Sequence, residues 1–428
     1  MNRTKSFRRA VLVMSTAILI ESFTISCLAE ESTASYQTVT FGPGASEDAN
    51  GNALVDGTQK NYDLYDNVIE LYEIPELIEK YGKLARSQDA QISTYTNAYD
   101  DVNDAYSSSY QEIKDNYDDM IDELEEQYDD AEDKDTKASI KAEITSLKKQ
   151  KRHDLQEVQD AKDDVNDQET SRINSIKRNL YNSKKTVANT YQGLIFDYKN
   201  LECNKAAAEK SVELYETEYA KVQTQFATGG ATAANVQDAK LKLESAENNL
   251  ESVINTMDSL KRTIGIGLGW SLENYKEITF AQIPDYQLNY ADTRDLETDI
   301  QLAYQQNYAM GQAYSIKDAD FTAWDHKSIT IDKTQKQIQI AMESLLNTVR
   351  ERQQALEAAQ TSLQLAYKNQ STADIKLASG LVSRSEYITL QQNFINKNNT
   401  AEVAKLEYQR AVFNYEQAVT KGILSLGN

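Results

Sequence analysis

Residues 226–236 read Phe-Ala-Thr-Gly-Gly-Ala-Thr-Ala-Ala-Asn-Val, and residues 377–387 read Leu-Ala-Ser-Gly-Leu-Val-Ser-Arg-Ser-Glu-Tyr. Each stretch interrupts a long, proline-free helical pattern and contains a glycine where a helix can end in a left-handed residue. A threonine or serine follows where the next helix needs an N-terminal cap. Both stretches therefore predict the tip of a helical hairpin.

The two tips belong to an internal repeat. Sliding the chain by 151 residues superimposes Gly229 on Gly380 and also aligns the apolar residues on either side. After the first tip, apolar or small residues alternate three and four positions apart over residues 236–264, and the same alternation over residues 387–415 is broken only by Lys397. A strict seven-residue period is typical of a left-handed coiled coil. The sequence thus predicts an all-α fold of long antiparallel coiled-coil hairpins in two repeats.

The first residues have the pattern of an export signal. Four basic residues between Arg3 and Arg9 precede an apolar run over residues 10–20, and the small residues at 27–29 form a plausible cleavage site. We therefore predict a signal peptide at residues 1–29 and an exported protein. Residues 24–27 also resemble a weak lipobox, which would make Cys27 a lipidated residue instead.

Composition restricts the function of the mature chain. Removing residues 1–29 changes the net charge from −22 to −25, which disfavours nucleic acid and anionic lipid surfaces as partners. No apolar run of 18 residues follows, so no membrane-spanning helix is expected. Cys203 is then the only cysteine, which excludes a structural disulfide.

Changes of pattern along the chain predict its organisation. The expected segments are a flexible arm at 30–60, a short helical segment at 61–94, an acidic helical hairpin at 95–170, a first repeat hairpin at 171–268 with its tip at 228–232, a linker at 269–328, and a second repeat hairpin at 329–428 with its tip at 379–383. Within the linker we expect one short strand at 278–280, one helix at 292–316 and a loop at 320–328.

The duplicated hairpin, the glycine tips and the export signal together resemble the TolC-like outer-membrane efflux protein family. Its hallmark is a tip of the form apolar-x-x-Gly, then Thr or Ser, leading into an Ala-rich heptad helix, and residues 226–239 fit it closely. The resemblance implies an α-barrel protomer that forms a homotrimer. It also implies that the tips meet a periplasmic adaptor of the membrane fusion type, which connects the channel to an inner-membrane transporter.

The resemblance also implies roles for particular residues. The partner-docking tips would be Thr228, Gly229, Gly230, Ala231, Ser379, Gly380, Leu381 and Val382. Residues matching the family's gate would be Asn235, Leu377, Arg384 and Glu386, of which Glu386 retains the charge and Arg384 stands near the position of the family's arginine. The tip glycines have a simpler interpretation as turn residues, and that alternative stays open.

The chain departs from the family where each repeat should carry a β-hairpin. The first such place holds the acidic hairpin 95–170, and the second is too short to hold one. We therefore expect a divergent member lacking the β-barrel hairpins, located in the cell envelope. It would lie in the outer membrane or periplasm of a cell with two membranes, or on the extracellular face of a cell with one.

Nothing in the sequence indicates an enzyme, a cofactor or a metal site. No nucleophile and base pair and no phosphate-binding loop stands out, and His153 and His326 lack a second ligand at helical spacing. The thirteen carboxylates of residues 112–135 lack the pattern of a calcium loop and predict a solvated helix face. Two functions remain: a channel component of a tripartite-type efflux or export system, or an exported coiled-coil spacer or scaffold of the cell surface.

Overall fold

The computed structural model describes residues 52–55, 58–61, 64, 66–81, 83–316, 321–424 and 426. The predicted signal peptide and most of the predicted arm lie outside these residues. The strands are short: β1 (Asn52–Val55), β2 (Thr58–Asn61), β3 (Val68–Ile69) and β4 (Thr279–Phe280). The α-helices are α1 (Ile74–Tyr81), α2 (Lys83–Asp130), α3 (Lys134–Ala227), α4 (Ala233–Leu268), α5 (Leu296–Gln306), α6 (Tyr308–Tyr314), α7 (Phe321–Ala378) and α8 (Arg384–Lys421). The predicted all-α fold of long helical hairpins is confirmed.

The described residues fall into two compact units. The first contains residues 87–180, which form an antiparallel pair from α2 and the first part of α3. The core of this pair contains Ile113, Tyr117 and Val158, all buried. The Tyr117 hydroxyl donates a 2.7 Å hydrogen bond to Asp154. Helix α3 has 94 residues, part of which belong to each unit.

Four long helical segments of the second unit lie side by side. The second part of α3 pairs with α4 through a core that includes Ile195, Ile264 and Leu268. Helix α7 pairs with α8 through a second core that includes Val349 and Tyr415. Hydrogen bonds between side chains then join α3 to α8, whereas no hydrogen bond or ion pair among the described residues joins α4 to α7. The order in this unit is therefore α4, α3, α8, α7, with α4 and α7 at the edges.

A small cap covers the base of each hairpin in the second unit. Helix α1 and the parallel pair of β3 with β4, in which Val68 faces Thr279, pack on α3 and α4 through buried apolar side chains such as Leu77, Ile69 and Phe280. Helices α5 and α6 cover α7 and α8 in the same way, with Ile300, Ala303 and Met310 in the core. The caps add apolar burial at the ends of the hairpins away from the tips and thereby stabilise these ends.

Two predictions about the connecting segments are wrong. From Phe321 onward the loop expected at 320–328 is helical as part of α7, because no proline or glycine interrupts the chain before Gly380. The single helix expected at 292–316 is divided into α5 and α6. Asn307 ends the first, and its side chain accepts a 3.2 Å hydrogen bond from the Met310 amide of the second.

Two expected boundaries and the arm also differ from the structure. The boundaries at 94/95 and 170/171 lie inside α2 and α3, since neither place has a helix-breaking residue. Part of the arm pairs as an antiparallel hairpin in which Asn52 faces Asn61. The sequence between its strands is Asp-Gly, a dipeptide favoured in two-residue hairpin loops. The predicted strand at 278–280 is present as β4. Among the described residues, no helix combines the length and apolarity needed to cross a membrane.

Candidate functional site: the two hairpin tips

Both tips end their first helix with the same pair of backbone hydrogen bonds. Gly229 and Gly380 have φ angles of +78° and +71°, a left-handed conformation that a residue with a Cβ adopts only under strain. The bonds occupy equivalent positions 151 residues apart: Gly229 N to Phe226 O at 3.0 Å, Gly230 N to Gln225 O at 2.7 Å, Gly380 N to Leu377 O at 3.1 Å, and Leu381 N to Lys376 O at 2.8 Å. The two helix ends therefore share the same pair of backbone hydrogen bonds, and both form Schellman motifs.

Both tips also begin their second helix in the same way. The Thr232 hydroxyl accepts a 3.3 Å hydrogen bond from the Asn235 amide, and the Asn235 side chain accepts one of 3.0 Å from the Thr232 amide. In the second repeat, the Ser383 hydroxyl accepts a 3.2 Å bond from the Glu386 amide. Asn235 and Glu386, two of the candidate gate residues, thus occupy the third position of their helices. The Asn235 side chain acts there as a helix cap.

The tip residues are largely free of contacts within the chain. Of the eight candidate docking residues, Ala231 and Val382 are half-buried and the other six are exposed. Phe226 is 50% exposed and Leu381 is 76% exposed, so each tip presents a large apolar side chain to its surroundings. A Cβ added at Gly229 or Gly380 would meet nothing within 4 Å. The tips can therefore be contacted from outside without rearrangement of the hairpins.

Arg384 is the one candidate gate residue whose side chain forms a hydrogen bond to another helix among the described residues. Its Nε donates a 2.7 Å hydrogen bond to Glu218 on α3, and its guanidinium lies 5.1 Å from the centre of the Tyr387 ring. Leu377 is half-buried and contributes its carbonyl to the helix end. Glu218 was not predicted from the sequence, although it stands seven residues after Ser211 on the same helix face.

The ion pair of Arg384 with Glu218 is the contact nearest the tips in a polar ladder between α3 and α8. We use this name for three contacts: Asn399 Nδ2 to Asn204 Oδ1 at 2.8 Å, Gln392 Nε2 to Ser211 Oγ at 3.0 Å, and Arg384 Nε to Glu218 at 2.7 Å. The α3 members are spaced by seven residues, the period of a coiled-coil seam. The buried carbonyl oxygens of Asn399 and Gln392 have no hydrogen-bond partner. Towards the tips the hairpins are thus joined by polar contacts, which fix the register of the two helices.

A groove of about 690 Å³ lies on one face of α3 and α8 beside this ladder. Cys203 contributes to its lining, and burial, with Glu402 and Glu202 nearby, raises the pKa of the thiol. The thiol therefore stays protonated at neutral pH, which disfavours nucleophilic chemistry at this position.

In the first unit, the expectation that His153 has no second ligand at helical spacing is wrong. The Nδ1 atom of His153 lies 3.5 Å from Glu157, and Asp154 contributes a third ligand atom within 4.8 Å of the other two. His153 and Glu157 are exposed, and all three residues lie within two turns of one helix. Such a group is common on solvated helices, so it does not by itself define a metal site.

The comparisons with known proteins give the following results. No protein-family model and no curated protein matches the chain. Among solved structures, the chain is similar to the outer membrane protein VceC from Vibrio cholerae, at a TM-score of 0.45 and 12% identity, over 59% of this chain and 74% of that one. It is also similar to the Campylobacter jejuni CmeC outer membrane channel, at a TM-score of 0.42 and 14% identity, over 61% of this chain and 68% of that one. A likeness at these scores assigns no function to this chain.

Proposed function

We propose that this protein is the channel component of a tripartite-type efflux or export system. Three copies would enclose a helical barrel through which substrates pass unmodified. The tips would dock a periplasmic adaptor of the membrane fusion type, which connects the channel to an inner-membrane transporter. The chain would act after export, in the cell envelope.

The observation that carries this proposal is the pair of open edges in the layer α4, α3, α8, α7. Helix α7 packs on α8 with one face and leaves apolar side chains on the opposite face, among them Ile329, Ile340 and Leu365, the last of which is 60% exposed. Leu241 on α4 is 55% exposed, on the face away from α3. Apolar side chains at two different edges favour contact between α4 of one copy and α7 of the next. A contact between two different surfaces generates a closed ring when the rotation between copies closes.

The tips support the docking part of the proposal. They repeat the same geometry twice in each copy, so a ring of copies would present a regular series of equivalent turns. Phe226 and Leu381 provide exposed apolar contacts there. The pair of Arg384 with Glu218 is the interaction we assign to the gate, because it joins a tip of one repeat to the long helix of the other.

The test is the mass and appearance of the purified chain over residues 30–428. A single species of three copies with a central hole in electron micrographs supports the channel. A rod of one or two copies overturns it and favours the alternative of a cell-surface spacer or scaffold, which needs no closed ring.

A further inference from the structure

The acidic hairpin 95–170 has an acidic face that the proposed channel does not explain. Residues 112–130 contain ten carboxylates and one basic residue, Lys114. Six of the carboxylates recur three or four residues apart and therefore share one face of α2, and all six are exposed: Glu112, Asp115, Asp119, Asp122, Glu126 and Asp129. We call this set the acidic face.

This face points away from the seam of its own hairpin. At 100° per residue, the six carboxylates lie roughly opposite the side on which Ile113, Tyr117 and Ile121 are buried. None of the six forms an ion pair with a lysine or arginine among the described residues. Like charges at this spacing destabilise a helix. A face of this kind therefore favours a cationic surface opposite it.

The returning helix of the same hairpin has a basic surface of matching length. Residues 134–152 of α3 contain seven lysines and arginines against two carboxylates, Asp135 and Glu143. Lys148 and Lys151 pair with α2 inside the hairpin. The others that are exposed form no ion pair among the described residues, and we call them the basic face: Lys134, Lys141, Lys149 and Arg152.

The register of the hairpin places part of the two faces at the same height along it, namely Asp119, Asp122 and Asp129 of α2 beside the stretch from Lys141 to Arg152 of α3. Lys148 pairs with Glu125 at 2.8 Å and Tyr117 with Asp154 at 2.7 Å, so positions near 119 and 122 on α2 are level with positions near 149 and 152 on α3. Two copies whose acidic hairpins pack side by side, related by a rotation about an axis along the hairpin, keep these heights unchanged. The acidic face of one copy and the basic face of another would therefore meet level with each other.

We propose that the acidic hairpins of two neighbouring copies associate through these faces, with α2 of one copy against α3 of the next. The occupant of the acidic face is a second copy of this chain, because the chain itself carries the complementary charges at the matching heights. This proposal rests on the assembly of copies in the proposed function, and it adds a contact outside the two repeats. Since both faces are exposed, the attraction is screened by salt over a Debye length of about 10 Å at 0.1 M.

The test reverses the charges of each face in the full exported chain. One variant carries Lys141→Glu, Lys149→Glu and Arg152→Glu, a second carries Asp119→Lys, Asp122→Lys and Asp129→Lys, and a third combines all six. The control is Glu143→Lys, an exposed carboxylate of α3 outside the basic face. Analytical ultracentrifugation at 50 and 500 mM NaCl measures the association constant, and circular dichroism checks the helix content.

We expect each triple reversal to weaken association about tenfold or more at 50 mM NaCl, since several charge pairs change from attraction to repulsion. The combined variant should recover to within about threefold of the parent, and the control should match the parent. If both reversals leave association unchanged, or if the combination recovers nothing, the proposal is overturned and the acidic face is left to a cationic partner. A parent chain that does not associate at all overturns the proposed function as well, so the two failures are distinguishable.

Discussion

Replacing each left-handed glycine with alanine distinguishes the open hairpin tips from tightly packed positions of the fold by the loss of unfolding free energy. At Gly229 and Gly380 the only cost is the backbone conformation, because an added Cβ meets nothing within 4 Å. We expect each to lose about 1–2 kcal/mol of unfolding free energy. At Gly422, with a φ of +64°, the Cβ would lie 2.4 Å from the backbone carbon of Gln306 and 2.5 Å from the nitrogen of Asn307. The backbone must shift there, which adds roughly 1–3 kcal/mol.

The assay is urea unfolding followed by circular dichroism, with all three positions in the same compact unit. Gly311→Ala is the matched control, since Gly311 lies within α6 with open space around it and is expected to be neutral or to gain about 0.5–1 kcal/mol. The reasoning is refuted if Gly380→Ala destabilises as much as Gly422→Ala. That result would mean that the tips pack against something within the chain.

The other predictions concern the edge, the buried tyrosines and the polar ladder. Leu365→Lys should change the unfolding free energy by less than about 0.5 kcal/mol but abolish association of copies, which ultracentrifugation measures. Leu356→Lys, at a buried position, should instead unfold the second unit, which circular dichroism detects. Burial and the carboxylate of Asp299 raise the pKa of Tyr415. The stability that its protonated hydroxyl contributes is therefore present below about pH 10 and is lost above it, by up to about 1.4 kcal/mol per pH unit. Tyr415→Phe should reduce the slope of unfolding free energy against pH above about pH 10, and an unchanged slope would contradict this expectation. A double-mutant cycle of Arg384→Gln and Glu218→Gln should give a coupling of about 1 kcal/mol, and additive effects would mean that the ion pair does not join the hairpins.

The tips could be predicted from sequence because their geometry follows from local rules. A glycine that permits a left-handed backbone, and a hydroxyl three positions further on, determine how one helix ends and the next begins. These rules act over fewer than ten residues, so they hold without knowledge of the rest of the fold. The seven-residue period determined the pairing of helices within each hairpin in the same way.

The contacts between the hairpins could not be predicted, because they depend on which helices become neighbours. Arg384 and Glu218 are 166 positions apart in sequence, and only the order α4, α3, α8, α7 brings them together. Asn307 gave no sign that it would divide a helix, because its amide also donates a 2.9 Å hydrogen bond to the carbonyl of Gly422, a contact between distant segments. The loop expected at 320–328 is wrong from Phe321 onward, because a stretch without proline or glycine can continue a helix.

The open edges of the helical layer are tested most directly by cross-linking. Leu241 on α4 lies eight residues, about 12 Å, from the first residue of its helix, and Leu365 on α7 lies 13 residues, about 20 Å, from the last residue of its helix, so their heights would differ by about 8 Å in a ring of copies. We predict that Leu241→Cys with Leu365→Cys, in a Cys203→Ser chain, reacts with a short bismaleimide to give covalent dimers and closed trimers and nothing larger. A cross-link confined to single chains would mean that α4 folds onto α7 within one copy, and this result would contradict the channel.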